Sequence, residues 1–128
     1  MIGLFVLGRI VFGSFFLWHG IEHFRQAHMM TQYTRMKGVP APNAAVLLSG
    51  LMIIIGGLSI VLGWRPIVGV TLIVLFLVPV ALLMHNFWTL TDPQARMADR
   101  VNFEKDLALA GAALMLLAVP RPWPLGIE

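Results

Sequence analysis

The chain has 128 residues, 59% of them hydrophobic and 12% charged, with a net charge of +3 and no cysteine. Soluble domains carry about 25% charged residues, so this composition argues against an ordinary water-soluble domain. The lack of cysteine excludes disulfide exchange, thiolate metal centres and thiolate-held iron–sulfur clusters within the chain. Its pI is near 10.2, but the basic residues lie in short connections beside apolar runs, where they set membrane topology or meet lipid head groups rather than nucleic acid.

Four apolar stretches organise the sequence: Ile2–Phe24, Ala44–Gly63, Ile67–Trp88 and Val101–Val119. A helix needs about 20 apolar residues to cross a bilayer core. The expected fold is therefore all-α, an integral membrane bundle of four transmembrane helices forming a single domain over residues 1–128.

The first stretch has no basic segment before it and holds Arg9 inside it, so it reads as a retained span rather than a cleaved signal. Arg9 lies about 12 Å along its helix. At that depth it either snorkels back to the near surface or is met by backbone carbonyls, lipid phosphate or another subunit. His19, Glu22 and His23 close the span. Gln26–Lys37 is expected to form a short amphipathic helix in the interface, broken by Gly38, Pro40 and Pro42.

Span two carries Ser49, Gly50, Gly56 and Gly57, a small-residue packing face. Gly63-Trp64-Arg65-Pro66 is a tight turn. Pro79 predicts a kink near Leu75–Pro79 in span three. Thr89–Arg100 reads as a polar loop. Span four opens on Asn102, Glu104, Lys105 and Asp106 before the apolar run Leu107–Val119. Arg121-Pro122-Trp123-Pro124 reads as a cationic and aromatic interfacial anchor.

Four crossings place both termini with the Trp64–Pro66 turn, and the two longer connections at the opposite, loop side. Arg25, Arg35, Lys37, Arg96, Arg100 and Lys105 gather at the loop side. The positive-inside rule then puts that side in the cytoplasm and both termini outside.

His19, Glu22 and His23 share one helical face and match H-x-x-E-H, a zinc-peptidase pattern. A peptidase also needs a third ligand, an open coordination position and a substrate groove, so no metal site is assigned. Three readings stay open. With His85, the histidines can ligate haem or a metal ion. The groups can simply sit wet and partly paired at head-group level. Or they can hold a quinone-like head group, since imidazole hydrogen-bonds a carbonyl and exchanges protons near neutral pH, with aromatic walls from Phe24, Phe87, Trp88 and Phe103. The candidate cofactor-binding set is His19, Glu22, His23, His85, Asn102 and Lys105, with quinone ahead of haem or a metal ion. No residue is assigned a catalytic role. His85 is expected within reach of Glu22, His23, Asn102 or Lys105, with Glu22 a partner for Lys105 and Arg9 at the other end of the bundle.

Gly8-Arg9-Ile10, Gly38-Val39-Pro40, Ser49-Gly50, Gly56-Gly57, Leu62-Gly63, His85-Asn86-Phe87-Trp88 and the run Asn102–Gly111 occur in an order and spacing that resembles the DoxX-like family of small four-span membrane proteins. The likeness covers nearly the whole chain. Family members commonly carry a lysine-bearing pattern late in span one; here His23 and Arg25 occupy that neighbourhood. The resemblance implies a bundle of four transmembrane helices and a link to redox chemistry, because the family takes its name from a membrane subunit of a thiosulfate:quinone oxidoreductase.

The expected function is therefore a membrane subunit of a quinone-linked redox system. The alternative is a non-catalytic structural or accessory subunit packing against a larger membrane complex. A transporter ranks third, because four spans without inverted symmetry offer little for alternating access. The expected partners are membrane lipids, a partner protein or a second copy of the chain, and quinone.

Overall fold

The computed structural model describes residues 1–127. Five α-helices follow one another: α1 (Ile2–Arg25), α2 (Ala27–Met36), α3 (Pro42–Leu62), α4 (Pro66–Met84) and α5 (Pro93–Met115). Short 3-10 turns follow α4 at Phe87–Thr89 and α5 at Leu116–Ala118. Three segments are long and apolar enough to cross a membrane: α1, α3, and α4 with its following turn. Their outward faces are apolar. Leu4, Leu7, Val11, Leu48, Leu51, Leu75 and Leu82 are all exposed, a surface that suits lipid rather than water.

α3 is the central helix, packed against α1 on one side and α4 on the other, and α5 packs on α4. The α1–α3 contact depends on four glycines. Gly13 faces Gly57 and Gly20 faces Gly50, each pair member seven residues from its helix-mate. A Cβ on Gly57 would lie 2.6 Å from the Gly13 carbonyl and 2.8 Å from the Leu17 nitrogen. In lipid, close packing is the main force between helices, and small residues permit it. The core beneath comprises Phe16, Ile53, Ile60, Val70, Ile73 and Leu77, with Ala110 and Ala113 from α5.

The turn end is sealed by the chain's own C-terminal segment. Gly63 turns the chain out of α3 in the left-handed region, at φ 66°. The Ser59 hydroxyl donates to the Trp64 carbonyl at 2.5 Å, and Ile127 N–H donates to the Leu62 carbonyl at 3.1 Å. Arg9 Nη1 donates to the Pro124 carbonyl at 2.5 Å and Nη2 to the Leu125 carbonyl at 2.9 Å. Its guanidinium lies against the rings of Phe5 and Trp123. Of the options open for Arg9, backbone carbonyls are the partners it has. Trp123, expected as an interfacial anchor, is instead buried at 3% exposure and packs edge-on against Phe5. The guanidinium beneath gives its ring a cation–π partner, so the ring folds inward.

Two boundaries differ from expectation. α4 runs through Pro79 and ends at Met84, so His85–Trp88 lies outside it, with Phe87–Thr89 in a 3-10 turn. α5 begins at Pro93, well before Val101, so most of the expected polar loop is helix. Asp92 caps it by accepting from Ala95 N–H at 2.9 Å, and Pro93 stands in its first turn, where no amide donor is needed. The fourth helix is also less apolar than a span requires. Arg96, Asp99, Arg100, Glu104, Lys105 and Asp106 all precede its apolar run. The amphipathic segment is α2, which packs on α3 and α1 with Thr31 and Thr34 buried.

The glycine contact gives a direct test. Gly57→Ala should lower stability by about 1–3 kcal/mol through overpacking, seen as a lower thermal midpoint by circular dichroism in mild detergent. Gly111→Ala, with open space around the added carbon, should be neutral or up to about 1 kcal/mol stabilising. Equal effects at the two positions would rule out the close α1–α3 approach as the cause.

Candidate functional site

At the loop end the chemistry collects around a cavity of about 410 Å³. It lies between α1 and α5, which meet only sparsely. α1 supplies Phe15, Phe16, His19 and His23; α2 supplies Met30, Tyr33 and Thr34; α3 supplies Val46 and Ser49. Phe76, Leu77 and Val80 of α4 form the apolar floor, and His85, Lys105 and Asp106 complete the polar wall. The exposed rim includes His19, Tyr33, Leu83 and Lys105.

His23 is buried and oriented. Its Nδ1–H donates to the Val46 carbonyl at 2.9 Å. The Ser49 hydroxyl donates to the same carbonyl at 3.1 Å. With Nδ1 as the donor, Nε2 is the acceptor of a neutral ring. His19 packs on Phe15, with ring centroids 4.3 Å apart. Lys105 Nζ lies 5.9 Å from the Phe15 centroid.

His85 sits where α4 has ended, and the open backbone there lets its ring turn towards α5. Nδ1 lies 3.4 Å from Asp99 Oδ1, and Nε2 lies 3.6 Å from Asp106 Oδ2. Lys37, at the end of α2, donates to Asp99 Oδ2 and to Asn86 Oδ1, both at 2.9 Å. Both members of the Lys37–Asp99 pair are largely removed from solvent. Asp99 stands ahead of the apolar run of α5. Burial alone would push its carboxyl up, but the hydrogen bonds and charges of Lys37 and His85 outweigh this and hold it below the ordinary aspartate range.

The six expected site residues divide. His19, His23, His85 and Lys105 line the one cavity, whereas Glu22 and Asn102 are not among its lining residues. Glu22 accepts from Arg25 at 2.5 Å and from Gln26 at 2.7 Å. It is therefore engaged locally and is not the partner of Lys105. The ring of His85 is met by Asp99 and Asp106, not by Glu22, His23, Asn102 or Lys105. Phe87, Trp88 and Phe103 pack on one another at 5.3–5.5 Å, and the aromatic cavity walls are Phe15, Phe16 and Phe76. His19, Glu22 and His23 do not converge. Among the described residues no three His, Asp or Glu side chains are arranged to share a metal ion.

The outward apolar faces and the three apolar helices define a multi-pass α-helical protein of the cell membrane. The DoxX family model matches residues 4–86, and the chain belongs to that family. It is similar to the inner membrane protein YphA of Escherichia coli (strain K12), with 28% identity over 127 residues, covering 98% of this chain and 88% of that protein. No solved structure matches the chain.

The Lys37–Asp99 pair should be visible in acid. A carboxylate held below its ordinary value contributes stability that is full above the unfolded pKa of about 3.9 and is lost as pH falls through the lower folded value. The thermal midpoint should therefore drop on the acid side of that value, and Asp99→Asn should make the drop shallower. Lys37→Met, which leaves Asp99 buried without its cation, should cost about 3 kcal/mol. Adding Asp99→Asn should recover part of that loss in a double-mutant cycle.

Proposed function

We propose that this protein is the membrane subunit of a quinone-linked redox system. Its single domain spans residues 1–128, and α5 serves as the fourth transmembrane helix. In this reading Leu107–Val119 lies in the hydrocarbon, and the charged first turns of α5 stand at the loop-side head groups, with the largely buried Asp99–Lys37 pair among them. Polar groups placed in a span face the bundle interior or a cavity.

The observation that carries the reading is the division of the cavity. Its lining joins the apolar Phe76, Leu77 and Val80 to the imidazoles of His19, His23 and His85, the Lys105 ammonium and the Asp106 carboxyl. A volume of about 410 Å³ is in the range for small-molecule sites. A quinone ring would lie against the floor, with one carbonyl accepting from Lys105 Nζ. In the reduced state, a hydroxyl would donate to His23 Nε2, which the Val46 carbonyl keeps in its acceptor form. The electrons would pass to or from a redox partner protein. The competing reading is a structural subunit that packs through its exposed apolar faces and binds no quinone.

A short-chain ubiquinone should bind the purified protein in nanodiscs, measured by equilibrium dialysis. His23→Ala and Lys105→Ala should each weaken it about tenfold, the loss of roughly one hydrogen bond to a polar or charged group, and His85→Ala should weaken it by releasing Asp106 at the cavity wall. Unchanged binding in both His19→Ala and His85→Ala would remove the site. The structural reading would then lead, and native purification in mild detergent would have to yield a stable complex with another protein.

A further inference from the structure

Asp99 and Asp106 are seven residues apart on α5, so they share a face and are separated by about 10 Å along the helix. One imidazole with a contact on each nitrogen spans that gap, and His85 fills it from the neighbouring helix end. Asp106 is a cavity-lining residue, and Asp99 is not. Asp99 stands beyond His85, beside Lys37 and Asn86.

We propose that Asp106, His85 and Asp99 form a proton-transfer chain joining the cavity to loop-side water. It rests on the reading that the cavity holds a quinone-type ring, and it adds a route for the protons that such a ring exchanges.

A neutral imidazole has one N–H donor and one acceptor. With Nδ1–H directed to Asp99 Oδ1 at 3.4 Å, Nε2 is left to accept a proton from the side of Asp106, whose carboxyl lies 3.6 Å away. Both contacts exceed the usual N–H···O length of about 2.9 Å, so the ring sits between its neighbours without being locked to either. Lys37 occupies Asp99 Oδ2 and leaves Oδ1 to the ring. The charged or titratable groups facing this chain are Lys37 and Tyr33 from α2, His19 and His23 from α1, and Lys105 from α5. The α4 residues that line the cavity are all apolar.

Outward transfer proceeds in three steps. A ligand hydroxyl gives its proton to the Asp106 carboxylate. The Asp106 carboxyl gives a proton to His85 Nε2 as Nδ1–H gives one to Asp99 Oδ1. Asp99 then releases a proton to hydroxide, forming water. One ligand O–H is broken and one water O–H is made, with no electron moved. Loss of the Nε2 proton and uptake of one at Nδ1 reset His85 to its starting tautomer.

The test uses 2-hydroxy-1,4-naphthoquinone, whose colour changes when its hydroxyl ionises, bound at saturation to the full-length protein in nanodiscs. After a stopped-flow jump to higher pH, the bound probe should ionise quickly in the wild type. Asp99→Asn should slow it about 100-fold, and His85→Gln should do the same. Asp99→Glu, which keeps a carboxylate beside Lys37, should restore most of the rate. If the probe binds and Asp99→Asn leaves its rate unchanged, protons reach the cavity directly and the chain is overturned while the quinone reading stands. If the probe does not bind the wild-type protein, both fall. If Asp99→Asn does not fold, His85→Gln decides between the same outcomes.

Discussion

A charge removed from water must find its opposite close by, and here that requirement falls on Asp99. Its carboxylate is buried on α5 and would be costly alone. Lys37 comes to it from the end of α2 and His85 from the end of α4. α2 is thereby pinned at the loop end to the α4–α5 pair, with which it otherwise shares little contact. The break in α4 after Met84 belongs to the same arrangement. A helical His85 would continue the α4 rotation, whereas the open backbone lets its ring stand between two turns of α5.

The cavity follows from how unevenly the helices pack. Glycines at 13, 20, 50 and 57 draw α1 tightly against α3. No such seam joins α1 to α5, whose inward residues near this level include the bulky Phe15 and Lys105. The space left between them becomes the cavity, with His19 and His23 of α1 and Lys105 and Asp106 of α5 among its polar residues. At the turn end the opposite holds. The C-terminal segment folds over Arg9 and fills the space with Trp123 and its own carbonyls. One end of the bundle is closed by its own backbone, and the other is held by side-chain charge with room beside it.

The apolar helices were legible because twenty-odd apolar residues have few alternatives to a span. The convergence of His19, His23, His85 and Lys105 was also legible, since antiparallel helices bring those positions to one level. Their partners were not. Asp99 lay in a stretch too polar to show an apolar period and read as loop, and Lys37 read as the end of an interfacial helix with no partner in view. The Asp92-Pro93 pair did carry a helix-start signal, a capping carboxylate followed by a proline suited to the first turn. Read that way, it would have placed Asp99 and Asp106 on one face. Trp123 was misplaced for a different reason. A tryptophan between prolines at a helix end matches an interfacial anchor by composition, and only the folded chain brings it onto Phe5 and Arg9.

Family membership and chemistry rest on different parts of the chain. The family match covers residues 4–86, which supply α1–α4, the glycine seam, Lys37 and His85. The carboxylates that meet His85, and Lys105 at the cavity rim, come from α5 beyond it. A common scaffold can therefore be retained while the chemistry of its cavity is set by a helix of mixed character. The charges of α5 lie in its first half, where Lys37 and His85 meet them, and its apolar half completes the core through Ala110 and Ala113. That division lets one helix serve both ends of the problem. Its small residues admit the bulk of Ile53, Ile73 and Leu77 in the core, and its carboxylates, two turns apart, fix where the imidazole of His85 can sit.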